Sequence, residues 1–355
     1  EVSFSGTAEA GSRVYLTLTD SKGTNIVVDP AYVEATNGSW VYALPPEIAS
    51  QLEDGTYQWS FVAQDIAGNR SAEEAGSFTL DTTLPELTFN GLSADTDSGD
   101  DSSDMLTNSD APVFTGTVTE SAKVTVTLTA IPAGKSYTFE TSGYVTGAWS
   151  LAATSAIEEG TYNVTVTALD MAGNTSDAVV SDTNLVIDRT VTGGEDVGLH
   201  GDSDSGESGD ELTNHTTIKL TGNVEAGSTV TLKSLSTPSN NPIDVSSVAS
   251  VSADGRGNWE ITLPSFGGEQ GVYNYTIEYV DVAGNSKEVS GSYELDTHIS
   301  ITATLDAGQV EQNGALFTKD DTPTFKGTGT KGDKITLTVS GPGGSQEFTA
   351  EVDDK

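Results

Sequence analysis

Two stretches of this sequence concentrate carboxylates in a repeated arrangement that could bind metal ions. Residues 95–104 read Asp-Thr-Asp-Ser-Gly-Asp-Asp-Ser-Ser-Asp, and residues 202–211 read Asp-Ser-Asp-Ser-Gly-Glu-Ser-Gly-Asp-Glu. Each stretch has five acids and no base. Ca²⁺ takes about six to eight oxygen ligands in flexible geometry, and a glycine lets a loop turn sharply around it. The pattern therefore predicts several calcium ions, with candidate ligands Asp95, Asp97, Asp100, Asp104, Asp202, Asp204 and Asp210.

A flexible, solvated acidic linker is the competing interpretation of these two acidic loops. Both loops share the skeleton Asp-x-Asp-Ser-Gly, then an acid, then Leu-Thr-Asn, and this recurrence favours a folded structure. The spacing differs from that of an EF-hand, Mg²⁺ prefers fewer protein ligands, and zinc favours the His and Cys ligands that the loops lack. Calcium is therefore the predicted ion.

Five short anchors recur in one order three times along the chain, which reveals internal repetition. They are Phe-Ser-Gly-Thr at 4–7 with counterparts at 114–117, 220–223 and 325–328; Trp40, Trp149 and Trp259; Gly-x-Tyr at 55–57, 160–162 and 271–273; Asp-x-Ala-Gly-Asn at 65–69, 170–174 and 281–285; and Leu-Asp-Thr-Thr or its variants at 80–83, 187–190 and 295–298. A period of roughly 100 residues is too long for a solenoid and fits one autonomous β-sandwich.

The repeats predict modules at 1–83, 84–190 and 191–298, followed by a partial module at 299–355. The first module is expected to lack its opening segment, because the chain begins inside the pattern. The fourth stops before its tryptophan and its Ala-Gly-Asn turn.

Apolar and polar side chains alternate after each Gly-x-Tyr anchor. The inward sets are predicted to be Tyr57, Trp59, Phe61 and Ala63; Tyr162, Val164, Val166 and Ala168; and Tyr273, Tyr275, Ile277 and Tyr279. A period of two indicates half-buried antiparallel strands. The opening tyrosine resembles a tyrosine corner, and the repeated tryptophan is expected in a core. The predicted fold class is all-β, with tandem immunoglobulin-like antiparallel β-sandwiches in an elongated rod.

Two further aspartates recur in each of the three repeats, one opening the Ala-Gly-Asn turn and one ending the next strand. They are Asp65, Asp170 and Asp281 in the turns, and Asp81, Asp188 and Asp296 at the strand ends. In an immunoglobulin-type sandwich the turn lies at the pole where the chain begins, and the last strand ends at the opposite pole. We therefore expect Asp81 to approach Asp170 of the next module, and Asp188 to approach Asp281.

Carboxylates that meet at a junction repel one another unless a cation lies between them. The alternative role for the turn aspartate is an Asx-type cap on backbone N–H groups. The sequence leaves open at which pole each acidic loop lies. Replacing Asp97 and Asp170 together by Asn is expected to loosen one junction and to leave each sandwich folded.

Composition restricts the possible partners. The 53 acidic and 15 basic residues give a net charge of -38, and such a surface repels nucleic acid and attracts divalent cations. A plainly solvated acidic surface is the alternative. The absence of cysteine excludes disulfides and cysteine nucleophiles. No apolar run reaches the ~18–20 residues of a membrane span, so no membrane insertion is expected in this segment. A signal peptide is not visible, which says little because the chain begins inside the repeat pattern.

The sequence offers little for catalysis. The three histidines do not recur at matched positions, and HExxH, GxSxG and phosphate-binding motifs are absent. We therefore predict that the chain is not an enzyme. Two alternatives stay open: modules that bind a glycan or receptor, with Trp59, Tyr32 and Tyr42 as candidate aromatics, and spacer modules of a secreted polysaccharide-active enzyme.

The Asp-x-Ala-Gly-Asn turn, the Leu-Asp-Thr-Thr strand end and the Asp-Ser-Gly…Leu-Thr-Asn loop resemble the bacterial Ig-like repeats of giant adhesins secreted by the type I route. The resemblance covers nearly the whole chain. It implies calcium ions at and near module junctions that stiffen a long monomeric stalk, with the aspartates named above as ligands. It also implies a secreted or bacterial cell-surface location and contact of a distal tip with host cells or glycans. The fourth unit lacks Asp-Ser-Gly, which leaves calcium binding there open.

Overall fold

The computed structural model describes residues 2–99, 101–265, 267–305, 310–312, 315–319 and 321–353. The chain forms two compact units, residues 1–189 and 190–355. Nearly all regular structure is β-strand, and the helix α1 (Pro46–Ala49) is a single turn. The predicted all-β fold of antiparallel sandwiches is confirmed.

The first repeat contains two sheets. One pairs β1 with β5, and the other has the order β3-β2-β6-β7 with β4 added beside β2. The strands are β1 (Ser3–Thr7), β2 (Arg13–Thr19), β3 (Asn25–Ile26), β4 (Tyr32–Glu34), β5 (Ser39–Ala43), β6 (Gly55–Gln64) and β7 (Glu74–Leu80).

The second repeat is organised around one long strand, β10. Its first half pairs with β8 and β12, its second half pairs with β11 and β13, and the register shifts between Val118 and Ala122. This strand therefore contributes to both layers of the sandwich. The strands are β8 (Leu87–Leu92), β9 (Leu106–Thr107), β10 (Val113–Ile131), β11 (Ser136–Glu140), β12 (Val145–Ala152), β13 (Gly160–Asp170), β14 (Val179–Val180) and β15 (Leu185–Ile187).

The second unit begins with the third repeat, whose two sheets have the orders β16-β18-β21 and β17-β23-β22-β19-β20. Its strands are β16 (Gly193–Leu199), β17 (Leu212–Thr213), β18 (Lys219–Val224), β19 (Thr229–Ser236), β20 (Val251–Ser252), β21 (Asn258–Thr262), β22 (Gly271–Val280) and β23 (Ser286–Leu295). Three two-stranded pairs follow, formed by β24 (Thr302–Leu305) with β27 (Phe325–Thr328), β25 (Val310–Gln312) with β26 (Ala315–Phe317), and β28 (Lys334–Gly341) with β29 (Gly344–Glu351).

Two short strands are parallel to their partners, which the sequence pattern did not predict. β9 pairs with β15, and β17 pairs with β23. Both are the Leu-Thr dipeptides that follow the acidic loops. Each acidic loop is thereby attached to the last strand of its own module.

Separate apolar cores fill the first three repeats. Trp149 and Trp259 are each only 4% exposed, as expected for core residues, whereas Trp40 is half-buried. The tyrosine corners are also present. Tyr57, Tyr162 and Tyr273 each donate their hydroxyl to the backbone carbonyl four residues earlier, at 2.7, 2.8 and 2.9 Å. These bonds fix the start of the strand that leads to each Ala-Gly-Asn turn.

Candidate metal centres

Three carboxylates meet where the first repeat is followed by the second. Asp81, Glu120 and Asp170 each offer one oxygen, and these oxygens all lie within 4.8 Å of one another. Asp81 follows β7, Glu120 lies at the bend of β10, and Asp170 ends β13. Asp170 is only 2% exposed, and the other two are half-buried. The approach of Asp81 to Asp170 is therefore observed, whereas their role as metal ligands stays a prediction.

Glu120 is a member of this junction cluster that the sequence interpretation missed. A glutamate lies three or four residues after the glycine of the Phe-Ser-Gly-Thr anchor and its counterparts, as Glu9, Glu120 and Glu225. The offset grows by one in the second repeat because β10 has an irregularity in register between Val118 and Ala122. An alignment that allowed for such a bulge would have found it.

Asp170 is held by its own turn. Its Oδ1 accepts hydrogen bonds from the backbone N–H groups of Gly173 and Asn174, at 2.7 and 2.8 Å, and its Oδ2 accepts one from the Asn174 side-chain amide at 2.8 Å. Burial acts to raise the pKa of Asp170, but the Asn174 and Gly173 hydrogen bonds outweigh it, so the pKa lies below its ordinary value. The Asx-type cap is therefore present. A carboxylate has about four lone-pair sites, so the cap leaves room for a cation.

Negative charge at the junction cluster is not compensated by ion pairs. Burial first, and then the carboxylates of Asp81, Asp170 and Asp54, raise the pKa of Glu120. Among the described residues, none of the ion pairs includes a member of the cluster. Three mutually close carboxylates of this kind fit a hard divalent cation such as Ca²⁺.

The segment that carries Asp81 is fixed by Asp54. The carboxylate of Asp54 accepts hydrogen bonds from the Thr82 N–H at 2.9 Å, the Thr82 hydroxyl at 2.8 Å and the Thr83 hydroxyl at 2.6 Å. The hydroxyls of Thr83 and then Thr82 are the main cause that lowers the pKa of Asp54. The equivalent bonds elsewhere run from Arg189 N–H to Glu159 and from Thr297 N–H to Gln270.

The corresponding positions of the following repeats are Asp188, Glu225 and Asp281. Asp281 is 5% exposed and is capped by Asn285 as Asp170 is by Asn174, with both bonds at 2.8 Å. The expected approach of Asp188 to Asp281 would join the two units and stays a prediction. Asp65 and Asp296 are half-buried and belong to no group of three acids in the described part of the chain.

A second kind of centre lies inside the acidic loops. Asp97 is only 5% exposed; its Oδ2 accepts the Met105 N–H at 3.3 Å, while its Oδ1 is buried and accepts no hydrogen bond from the described residues. Burial is the largest cause that raises the pKa of Asp97, and the carboxylates of Asp104 and Asp101 raise it further, against lowering by the Met105 N–H. A buried carboxylate oxygen without a donor is costly unless something else neutralises it.

The third repeat reproduces this arrangement. Asp204 has a buried Oδ1 that accepts no hydrogen bond from the described residues, and its Oδ2 accepts the Gly209 N–H. Asp104 and Asp210 are exposed and cap Leu106 and Leu212 at 2.9 and 3.0 Å. The orphaned oxygen in both loops fits a bound cation. The remaining predicted loop ligands differ: Asp95 and Asp202 are exposed, and Asp100 lies outside the described residues.

The acidic loop lies at the C-terminal pole of its module, far from the turn. Val186 N–H donates to Met105 O at 2.9 Å, and Asp188 N–H donates to Thr107 O at 3.0 Å. Asp170 ends β13, whose other end pairs with Ile187, and an eleven-residue strand spans roughly 33 Å. The hypothesis that Asp97 and Asp170 serve one junction is therefore wrong, because β9 attaches the loop to the exit strand.

The aromatic residues considered for glycan binding are part of the packing. Tyr42 is fully buried and donates to Pro30 O, Tyr32 lies under the Arg13 guanidinium at 4.6 Å, and Trp59 packs on Phe61 at 5.6 Å between ring centroids. These residues form no exposed stacking platform.

Tandem antiparallel sandwiches with one set of anchors per repeat define a protein of immunoglobulin-like modules. The model of the bacterial Ig-like domain family matches residues 1–82, 83–189 and 192–297, and the chain belongs to that family. No curated protein sequence matches the chain. No helix in the described part of the chain is long and apolar enough to span a membrane.

Several solved structures are similar to this chain. A tetra-tandem repeat in the extending region of a large adhesion protein is 20% identical over 99% of this chain and 84% of its own, with a TM-score of 0.30. A structure concerned with host cell surface retention of a 1.5-MDa bacterial ice-binding adhesin is 20% identical over 83% and 90%, with a TM-score of 0.33. Cadherin domains 3-6 of protocadherin gamma B2 are 13% identical over 98% and 85%, at 0.29. These scores are low, so the fold assignment rests on the sheets and the family match.

Proposed function

We propose that this chain is a structural stalk segment of a large adhesin that is secreted or displayed on a bacterial surface, and that calcium ions at and near its module junctions stiffen it. The observation that supports this proposal is the junction cluster of Asp81, Glu120 and Asp170, which brings together carboxylates from two successive repeats. The segment itself performs no catalysis. A distal part of the full protein makes the contact with host cells or glycans.

The electrostatics of the junction cluster support a cation-dependent junction. Without a cation, three close carboxylates oppose the docking of the first module on the second, and added salt screens this repulsion only partly at partly buried positions. One divalent ion reverses the sign of the interaction, because each carboxylate then contributes attraction. The junction is therefore weak without calcium and strong with it.

The acidic loops bind their ions within their own modules rather than at the junction cluster of Asp81, Glu120 and Asp170. The orphaned oxygens of Asp97 and Asp204 are buried within their own repeats, beside the exit strands. An ion there would tie each loop to the strand that ends in Asp188 or Asp296. Both kinds of centre thus act near the point where one module passes to the next.

The calcium concentration relative to Kd sets how strongly calcium stabilises the docked junction. Extracellular calcium modules commonly bind with Kd of about 10⁻⁴ to 10⁻³ M. An ion that binds only the docked junction stabilises it by about 1.4 kcal/mol when its concentration is ten times Kd. Several such ions along a stalk stiffen each module junction in turn. This rigidity is lost in calcium-poor conditions.

Small-angle X-ray scattering of the chain tests this function, in about 1 mM calcium and again in excess chelator. We expect the maximum dimension to shrink or its distribution to broaden in chelator, while circular dichroism shows unchanged strand content. An Asp81→Asn variant in calcium should show part of this change in its scattering profile, because it loses only the ion at the first junction. Identical wild-type profiles in both buffers would refute calcium stiffening.

A further inference from the structure

The side chain of Asn174 contacts two successive repeats at once. Its Nδ2 donates to Asp170 Oδ2 at 2.8 Å within its own turn, and to the backbone carbonyl of Asp81 at 2.9 Å at the end of the preceding repeat. An amide NH₂ has two hydrogens, so both bonds can form together. One side chain therefore connects the two aspartates of the junction cluster without a metal ion.

The first repeat offers an internal comparison for this contact. Asn69 occupies the same turn position and bonds Asp65 in the same way, through its N–H at 2.8 Å and its side-chain amide at 2.7 Å. Asn69 is exposed and Asn174 is half-buried. The two turns thus share their internal bonds, and the bond to Asp81 is an addition at the junction.

We propose that Asn174 is a positioning residue that forms the junction before calcium binds. Asn174 holds the Asp81 carbonyl and the Asp170 carboxylate. It thereby keeps the carboxylate oxygens of Asp81 and Asp170 at a separation that one ion can bridge. The calcium part of this inference rests on the proposed function, whereas the metal-free contact stands by itself. Groups that orient metal ligands typically change affinity by roughly 10- to 100-fold when they are removed.

The residue type fits this role. Asparagine supplies two donors and no charge, so it can bond the Asp170 carboxylate and the Asp81 carbonyl without adding repulsion. Aspartate at this position would lose both donors and add a further negative charge beside Asp81, Glu120 and Asp170. Alanine at this position removes both bonds and leaves the net charge of the turn unchanged.

The test uses the full chain and exploits its lack of cysteine. Ala72→Cys and Ser155→Cys place one spin label on each of the first two repeats, both at exposed sites. Pulsed dipolar spectroscopy then gives the distribution of distances between the labels, in excess chelator and in calcium. Calorimetry of the unlabelled chain gives the calcium affinities.

We expect Asn174→Ala to broaden the distance distribution in chelator and to weaken one calcium site by roughly 10- to 100-fold. Asn69→Ala, the matched control, should change neither measurement. In an Asp170→Asn background, Asn174→Ala should weaken calcium binding no further, because the two act on one site.

Two results would overturn the proposal. One is an Asn174→Ala distribution in chelator equal to that of the wild type, and the other is equal broadening by Asn69→Ala. If the wild type binds no calcium at the junction, the proposed function fails, yet the chelator comparison still decides whether Asn174 positions the two repeats.

Discussion

The carboxylates of Asp81 and Asp170 lie within 4.8 Å of one another although they belong to successive repeats. Asp81 follows the last strand of one repeat, and Asp170 ends the strand before the Ala-Gly-Asn turn of the next. Asp54 holds the segment that carries Asp81, and Asn174 bonds both the Asp170 carboxylate and the Asp81 carbonyl across the junction.

Asp170→Asn should remove one calcium ion from the chain. The amide loses the charge that a Ca²⁺ ligand of this kind supplies, while the turn keeps its backbone hydrogen bonds through the remaining oxygen. Isothermal calorimetry of the full chain should show one fewer site. Asp65→Asn is the control, since Asp65 opens the same turn but joins no group of three acids in the described part. Equal losses in both variants would contradict a junction site.

Asp97→Asn should have opposite effects with and without calcium. In chelator the second module should melt at the same temperature as the wild type or higher, because a buried unpartnered charge is gone. In calcium it should melt lower than the wild type, because the loop ion is lost. Differential scanning calorimetry distinguishes the two. The exposed Asp182→Asn change should alter neither midpoint, and a loss of stability by Asp97→Asn in both buffers would refute the loop site.

Asp54→Ala should destabilise the first module in a pH-dependent way. The pKa of folded Asp54 lies below the ordinary 3.8, chiefly through the Thr83 and Thr82 hydroxyls, so the folded state binds fewer protons than the unfolded state between the two values. The stabilisation is complete above 3.8 and is lost as the pH falls through the lower, folded value. Thermal melts in calcium-free buffer from about pH 6 to about pH 2 measure it.

The matched control for Asp54 is Gln270 in the third repeat. Its side chain accepts the Thr297 N–H at 2.7 Å, in place of a carboxylate. Gln270→Ala should lower the midpoint of the third module by an amount that does not vary over this pH range. A similar pH dependence in both variants would show that the titration belongs to another group.

Arg189→Ala should loosen the C-terminal pole of the second module. The guanidinium donates to Ile157 O and Ser109 O, each at 3.0 Å, and forms an ion pair with Asp110 at 2.9 Å. We expect a loss of about 1–3 kcal/mol in unfolding free energy, and Arg189→Lys should restore little of it, because the ammonium lacks the planar fork. Lys135→Ala, which breaks a well-exposed ion pair, should cost less, and a comparable cost would refute the assignment.

The sequence predicted those parts of the fold that are encoded in repeated local patterns. Strict alternation placed Tyr162, Val164 and Val166 on the inward face of β13, where they are buried. The Asp-x-Ala-Gly-Asn turn revealed Asp170 because glycine and asparagine are needed there whatever surrounds them.

Contacts that depend on register or on very short strands could not be predicted. Glu120 was not predicted because the irregularity in β10 shifts its distance from the anchor at 114–117 by one residue. The pole of the acidic loop depends on two residues of parallel pairing at β9, too few to produce a periodic signal. The second bond of Asn174 depends on how two repeats meet, which no pattern within one repeat encodes.

The parallel pairing of β9 with β15 also has a mechanical consequence. A pulling force along the chain enters the second module near β8 and leaves it after β15, so it tends to slide β9 and β15 past each other rather than peel them apart. The bonds from Val186 to Met105 and from Asp188 to Thr107 then share the load at the same moment. The same geometry recurs at β17 and β23. We therefore expect these strand pairs to open at a higher force than a hairpin that is unzipped one bond at a time.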